Sequence, residues 1–206
     1  MEGFLGRPSE EGVRMQRPAA FSDRVVWLEA VRRVVASRGP LRDPPVRQDG
    51  SIEWHLVAMR TLVEGLDDLA SLLIGSPRRW VVIASEWRGE APPTNRYWQL
   101  LAFEDRSAIV EVVSNRYLAG PNRLSGSAEA RLREIGWNPP QAGASPNWWA
   151  AQAAPPASAA SIASSATRAM RDVLGFADST KLLVKLFEFT YQQPTAAGRT
   201  WPEGTG

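Results

Sequence analysis

One histidine, His55, and no cysteine leave little from which to build a reactive centre. A zinc site needs several His, Cys or carboxylate ligands converging on one point. A single imidazole beside Trp54 therefore reads as a surface residue or a satisfied internal one. Ser85, Ser107 and Ser114 have no nucleophile elbow around them, so a Ser–His–Asp arrangement has only arithmetic in its favour. The carboxylate pairs Asp67-Asp68 and Glu104-Asp105 are adjacent in sequence. Neighbours on a helix point apart and neighbours in a turn are solvated, so neither pair makes an acid/base dyad. Glycine-rich phosphate loops are also missing after every apolar run. The expectation is a protein that is not an enzyme and needs no metal or cofactor.

The aromatic residues carry more information. There are nine tryptophans in 206 residues. Trp27, Trp80, Trp98 and Trp137 sit in or beside periodic segments and read as core. Trp148 and Trp149 lie between prolines, where a ring either plugs a gap in the sheet layer or caps a binding groove. Ser114-Asn115-Arg116 has a similar choice: strand termination through local hydrogen bonds, or a polar rim that orients a ligand.

Charge argues against nucleic acid. The pI of about 9.4 exaggerates a net charge of only +2, because almost nothing titrates near neutrality. Residues 1–50 hold 9 basic and 7 acidic groups, 51–115 hold 6 and 9, and 116–206 hold 9 and 6, so no basic arm or stripe exists to track a phosphate backbone. Nothing in the chain approaches the roughly 20 apolar residues of a membrane span, and Met1–Ala20 lacks the apolar core of a signal peptide. A cytoplasmic location without membrane association is expected.

These residues must be positioned by a small set of elements. Ser22 and Asp23 can start a helix bearing Val25, Leu28, Val31, Val34 and Val35, which Gly39-Pro40 stops. Leu62, Leu66, Leu69 and Leu73 define a second helix ended by Gly75 and Pro77. Its approach is ambiguous, since Ile52, Trp54 and Leu56 alternate as in a strand. The period then becomes two over Trp80–Trp87, Arg96–Phe103 and Ile109–Val113, joined by Gly89–Asn95 and Glu104–Ser107, which predicts an antiparallel meander. A helix over Ala128–Ile135 stops at Gly136. An irregular stretch, Asn138–Pro156, carries Asn147-Trp148-Trp149. An Ala/Ser-rich helix spans Ala157–Leu174, and Leu182–Phe189 is a last strand. The fold class is α+β, a mainly antiparallel sheet of a three-strand meander plus a C-terminal strand, flanked by helices. Residues 1–20 and 194–206 are expected to be flexible tails around a single domain, 21–193, with a helical part at 21–77 and a sheet-containing part at 78–193.

Four segments in order carry a resemblance. They are Tyr97–Leu101 before Ile109–Leu118, Leu132–Pro140 containing Arg133-Glu134-Ile135-Gly136-Trp137, Pro146–Trp149, and the helix end Met170–Gly175. Together they resemble an actinobacterial family of peptide-binding chaperone-like (TY-Chap) domains related to YbjN and to type III secretion chaperones, over roughly Trp80–Phe189. That resemblance implies a non-catalytic module for a protein or peptide client, assisting a secretion or regulatory partner.

A sheet apolar on both faces needs two covers, or one cover and a partner. The pattern along Tyr97–Phe103 and Ile109–Asn115 is nearly as apolar on its second face. The candidate peptide groove lies beside that face, with Glu111, Asn115 and Arg116 as rim and Trp148 and Trp149 as aromatic wall. Homodimerisation through the same surface is the nearest competitor. An RNA- or nucleotide-associated domain, using Arg and aromatic side chains on the sheet, is the alternative from another class. No Gly-aromatic-Gly-Phe signature supports it.

Overall fold

In the computed structural model, residues 19–37, 53–89, 95–141, 145–152 and 157–188 are described. Residues 1–18 of the expected tail 1–20, the whole expected tail 194–206, and most of the Gly89–Asn95 connection lie outside them, while Ala19 and Ala20 lie in a strand.

The chain first lays down β1 (Ala19–Phe21), α1 (Arg24–Ser37), β2 (Glu53–Ala58) and α2 (Met59–Ile74). The meander follows as β3 (Trp80–Glu86), β4 (Tyr97–Ala102) and β5 (Ala108–Val112). Then come α3 (Gly126–Glu134), β6 (Trp148–Gln152), α4 (Ala159–Arg168) and β7 (Lys181–Glu188). All seven strands form one sheet in the order β1-β2-β7-β3-β4-β5-β6. Every neighbouring pair is antiparallel except β1–β2. The expected meander and C-terminal strand are present, and β7 is inserted between β2 and β3.

Local chemistry explains the element ends. The Asp23 carboxylate accepts from the backbone N–H groups of Val25 (2.8 Å) and Val26 (3.0 Å), opening α1 as an N-cap should. α2 begins directly from β2 with no side-chain cap. Its first free donors are taken by the β7 approach instead: Met59 N–H bonds the Thr180 carbonyl (2.8 Å) and Arg60 N–H that of Asp178 (3.1 Å). So the ambiguous start resolves, over its described residues 53–58, into a strand running straight into a helix.

α3 is capped at one end by Ser125, whose hydroxyl accepts from Ala128 N–H. At its other end Gly136 takes φ +85°. Trp137 N–H reaches the Leu132 carbonyl (2.9 Å) and Gly136 N–H that of Arg133 (3.0 Å), the paired bonds of a Schellman stop. The accompanying apolar contact is between Leu132 and Trp137, both buried.

Three elements differ from expectation. Ala19–Phe21 forms β1, reaching into the expected tail, because it pairs in parallel with His55–Val57. The irregular stretch contains a strand, β6, because Trp148–Gln152 pairs in register with Ala108–Val112. The flanking prolines Pro146 and Pro155 mask so short an edge strand in the sequence. The Ala/Ser-rich helix is α-helical only to Arg168 and ends in one π-helical turn, Ala169–Val173.

The core lies between the sheet and the helices. Leu62, Leu66, Leu69 and Leu73 of α2, with Ile162 and Ala166 of α4, are fully buried. They pack with Trp80, Val82 and Ala84, Trp98 and Leu100, Val110 and Val112, and Val184 and Leu186 in one continuous core. These strand residues alternate, as one face of a sheet must. At the end of the sheet Arg78 and Glu188 form a largely buried ion pair (2.7 Å) that ties the entry to β3 to the exit of β7.

Candidate functional site

Strand register fixes what the opposite face presents. Cross-strand partners share a face, so Leu56 joins Leu183 and Ser85, Lys185 joins Ile83 and Gln99, and Leu101 joins Ile109. Val81 pairs with both Leu101 and Phe187. Val81 and Leu183 are buried yet take no part in the helix-side core. Leu56, Ile83, Leu101, Ile109 and Phe187 are each half-buried. Among the described residues, the four helices contribute their buried side chains to the other face. A predominantly apolar face therefore runs across β2, β7, β3, β4 and β5, to which no described helix contributes core; Val81, Ser85 and Leu183 in it are buried and its other apolar residues are half-buried.

A polar cluster closes this face at the β6 side. Glu111 is only 9% exposed. Its carboxylate accepts from Ser145 Oγ (2.8 Å), Asn147 Nδ2 (2.9 Å) and Gln99 Nε2. Asn147 Nδ2 also reaches the Tyr97 hydroxyl (3.1 Å). Burial raises the Tyr97 pKa; the Asn147 hydrogen bond opposes the shift and the Glu111 charge adds to it. The partners holding Glu111 are all neutral, and among the described residues no cation forms an ion pair with it. Burying a carboxylate is tolerable when its oxygens are this fully hydrogen-bonded. The cluster fastens the Ser145–Asn147 segment onto β4 and β5. At the opposite wing, Lys181 is exposed and Lys185 half-buried, and burial lowers the Lys185 pKa.

The five groove residues read from the sequence separate in space. Glu111 and Trp149 are direct cross-strand partners on the helix-free face. Trp148 alternates to the other side, is 2% exposed, and lies beneath the Arg133 guanidinium at 5.0 Å. Its ring fills the sheet layer. Asn115 turns away from the sheet and grips Leu124, accepting from its N–H (2.7 Å) and donating to its carbonyl (2.9 Å) and to Glu129 (3.0 Å). Arg116 is exposed with its guanidinium over the Tyr117 ring. The five residues include none from β2 or β7, whose Leu56 and Phe187 lie on the same face as Glu111. The signal for β7 was available in Lys181–Glu188, where Lys181, Leu183, Lys185 and Phe187 occupy one parity.

Groups with catalytic potential are already engaged. The Arg79 guanidinium hydrogen-bonds Glu104 and lowers its pKa. Hydrogen bonds from Ser107 lower that of Asp105. His55 is 4% exposed and accepts at Nδ1 from the Trp27 indole N–H (3.2 Å). Burial lowers its pKa, favouring the neutral ring. Ser85 spends its hydroxyl on the Leu183 carbonyl. Among the described residues no group of three or more His, Asp or Glu side chains could hold a metal ion. No helix among them is long and apolar enough to cross a membrane.

A family model described as "T3SS (YopN, CesT) and YbjN peptide-binding chaperone 3" matches residues 50–188, and the chain belongs to that TY-Chap3 family. No curated protein and no solved structure matches the chain.

Proposed function

We propose that this TY-Chap3 member is a non-catalytic peptide-binding chaperone that holds an extended client segment against the helix-free face of its sheet. Family membership supports a peptide-binding chaperone role for a protein client. The observation that carries the choice of surface is the apolar set Leu56, Ile83, Leu101, Ile109 and Phe187, half-buried on a face to which no described helix contributes core. Apolar surface of this kind marks an interaction site when it is contiguous. Affinity comes from apolar client side chains seated on the strands. Direction comes from Lys181 and Lys185 at one wing and from Trp149, beside the buried Glu111 carboxylate, at the other, with Arg116 beyond the end of β5. A client pairing with a secretion or regulatory system is the natural setting, and a cytoplasmic location suits it.

Binding to an array of short synthetic peptides, scored for the wild type and for Leu101→Gln, tests this reading. Apolar-rich peptides should be retained by the wild type and lost by the variant. Retention insensitive to salt between low and physiological ionic strength distinguishes this mode from phosphate-driven RNA binding, which falls steeply as salt rises.

A further inference from the structure

The family-matched unit begins at residue 50, so β1 and α1 precede it. This segment sits on a surface of its own. β1 adds three residues in parallel to the outer edge of β2, with Ala19 opposite His55, Ala20 opposite Leu56 and Phe21 opposite Val57. α1 then lies along α2 and buries Trp27, Leu28 and Val31. Trp27 is the anchor. Its indole donates to His55 Nδ1, and its ring lies where a Cβ on Gly65 would come within 2.9 Å, so only glycine there admits the ring. The Phe21 ring meets His55 edge-on at 5.1 Å. Arg24 donates to the Glu64 carbonyl (3.0 Å), and Thr61 reaches the Ser22 carbonyl at 3.5 Å.

The two edges of the sheet are not equivalent. At β6 the outward position Trp149 exchanges both backbone hydrogen bonds with Asn138, at 2.8 and 3.1 Å. That stitch occupies the outward backbone groups of Trp149. At β2 the edge is six residues long and only three of them are covered by β1. Among the described residues, a short parallel strand and one anchored helix occupy it. Unpaired strand edges template the addition of a further strand.

We propose that Ala19–Ser37 is an exchangeable occupant, in cis, of an edge-and-groove site built from β2 and α2. The partner it yields to has the same chemistry: a short extended stretch ending in an aromatic residue, running into an amphipathic helix whose Trp enters the pocket over Gly65. This site shares only Leu56 with the helix-free face and does not depend on that face binding peptide.

The natural chain has no cysteine, so a paired substitution gives a clean lock. Ala20→Cys with Leu56→Cys places thiols on register partners and closes β1 onto β2 when oxidised. The probe is a fluorescein-labelled synthetic peptide of residues 17–37 of this chain, followed by anisotropy. Full-length Trp27→Ala, with its own occupant weakened, should bind the probe at least tenfold tighter than wild type. The oxidised double-cysteine protein should not bind it, and reduction should restore wild-type binding. A probe carrying Trp27→Ala should bind none of the proteins. If Trp27→Ala loses its cooperative melt, Leu28→Ala takes its place. Equal binding to oxidised and reduced protein, or no binding to a folded weakened variant, overturns the proposal. Neither result alters the prediction for Leu101→Gln.

Discussion

Gly136 and Trp137 show how much one backbone angle can carry. A left-handed residue after α3 turns the chain so that the next side chain enters the core, and Gly is the residue that adopts it without strain. Trp137→Ala should cost about 3–5 kcal/mol, the range for removing a buried large aromatic, read as a fall in the urea midpoint. An unchanged midpoint would contradict the burial of Trp137. His55 gives a pH prediction. Its folded pKa lies below the ordinary 6.5, so the unfolded chain binds the proton first as pH falls. The His55 contribution is complete above about 6.5 and is lost progressively below it, down to the depressed folded value. Comparing urea midpoints at pH 7.5 and 5.5 for wild type and His55→Phe isolates this residue: the wild type should lose more stability on acidification. Parity alone groups Glu111 with Ile109 on one face. It could not show that Ser145 and Asn147 fold over the carboxylate, because hydrogen bonds spanning 34 and 36 residues leave no local signal.

At the scale of elements, the readings that held rest on local physics. Leu62, Leu66, Leu69 and Leu73 make a helix face, and period-two alternation with a four-residue turn makes the β4–β5 hairpin. Ser125 and Gly136 bound α3 as cap and stop, and Ser125→Ala should lower stability by about 1 kcal/mol, measurable by chemical denaturation. Of the missed elements, β1 has only three residues, and β6 has five between prolines, its pairing with β5 set 36 residues away, at Val112–Trp148. The position of β7 between β2 and β3 is equally non-local, since the strands flanking it precede it in the chain. The Arg78–Glu188 pair reports on that placement. Replacing Arg78 with Met leaves a largely buried carboxylate unpaired and should cost about 3–5 kcal/mol, whereas the double replacement with Glu188→Leu should recover most of it.

On the scale of the whole molecule, the two faces of the sheet are unequal. The helices supply core to one face of a seven-stranded sheet, and the other face keeps an apolar surface between a buried carboxylate and two lysines. The sequence disclosed that both faces were apolar; which face the helices cover depends on packing across the whole chain. The most direct measurement is the affinity of one apolar-rich array peptide for the wild type and for the Ile83→Thr/Ile109→Thr double variant. Threonine keeps the β-branch that suits a strand and removes apolar surface. With melting temperatures of both proteins recorded, binding should weaken at least tenfold, about 1.4 kcal/mol, while the variant stays folded. Undiminished affinity in a folded variant would contradict the assignment of this face as the client surface.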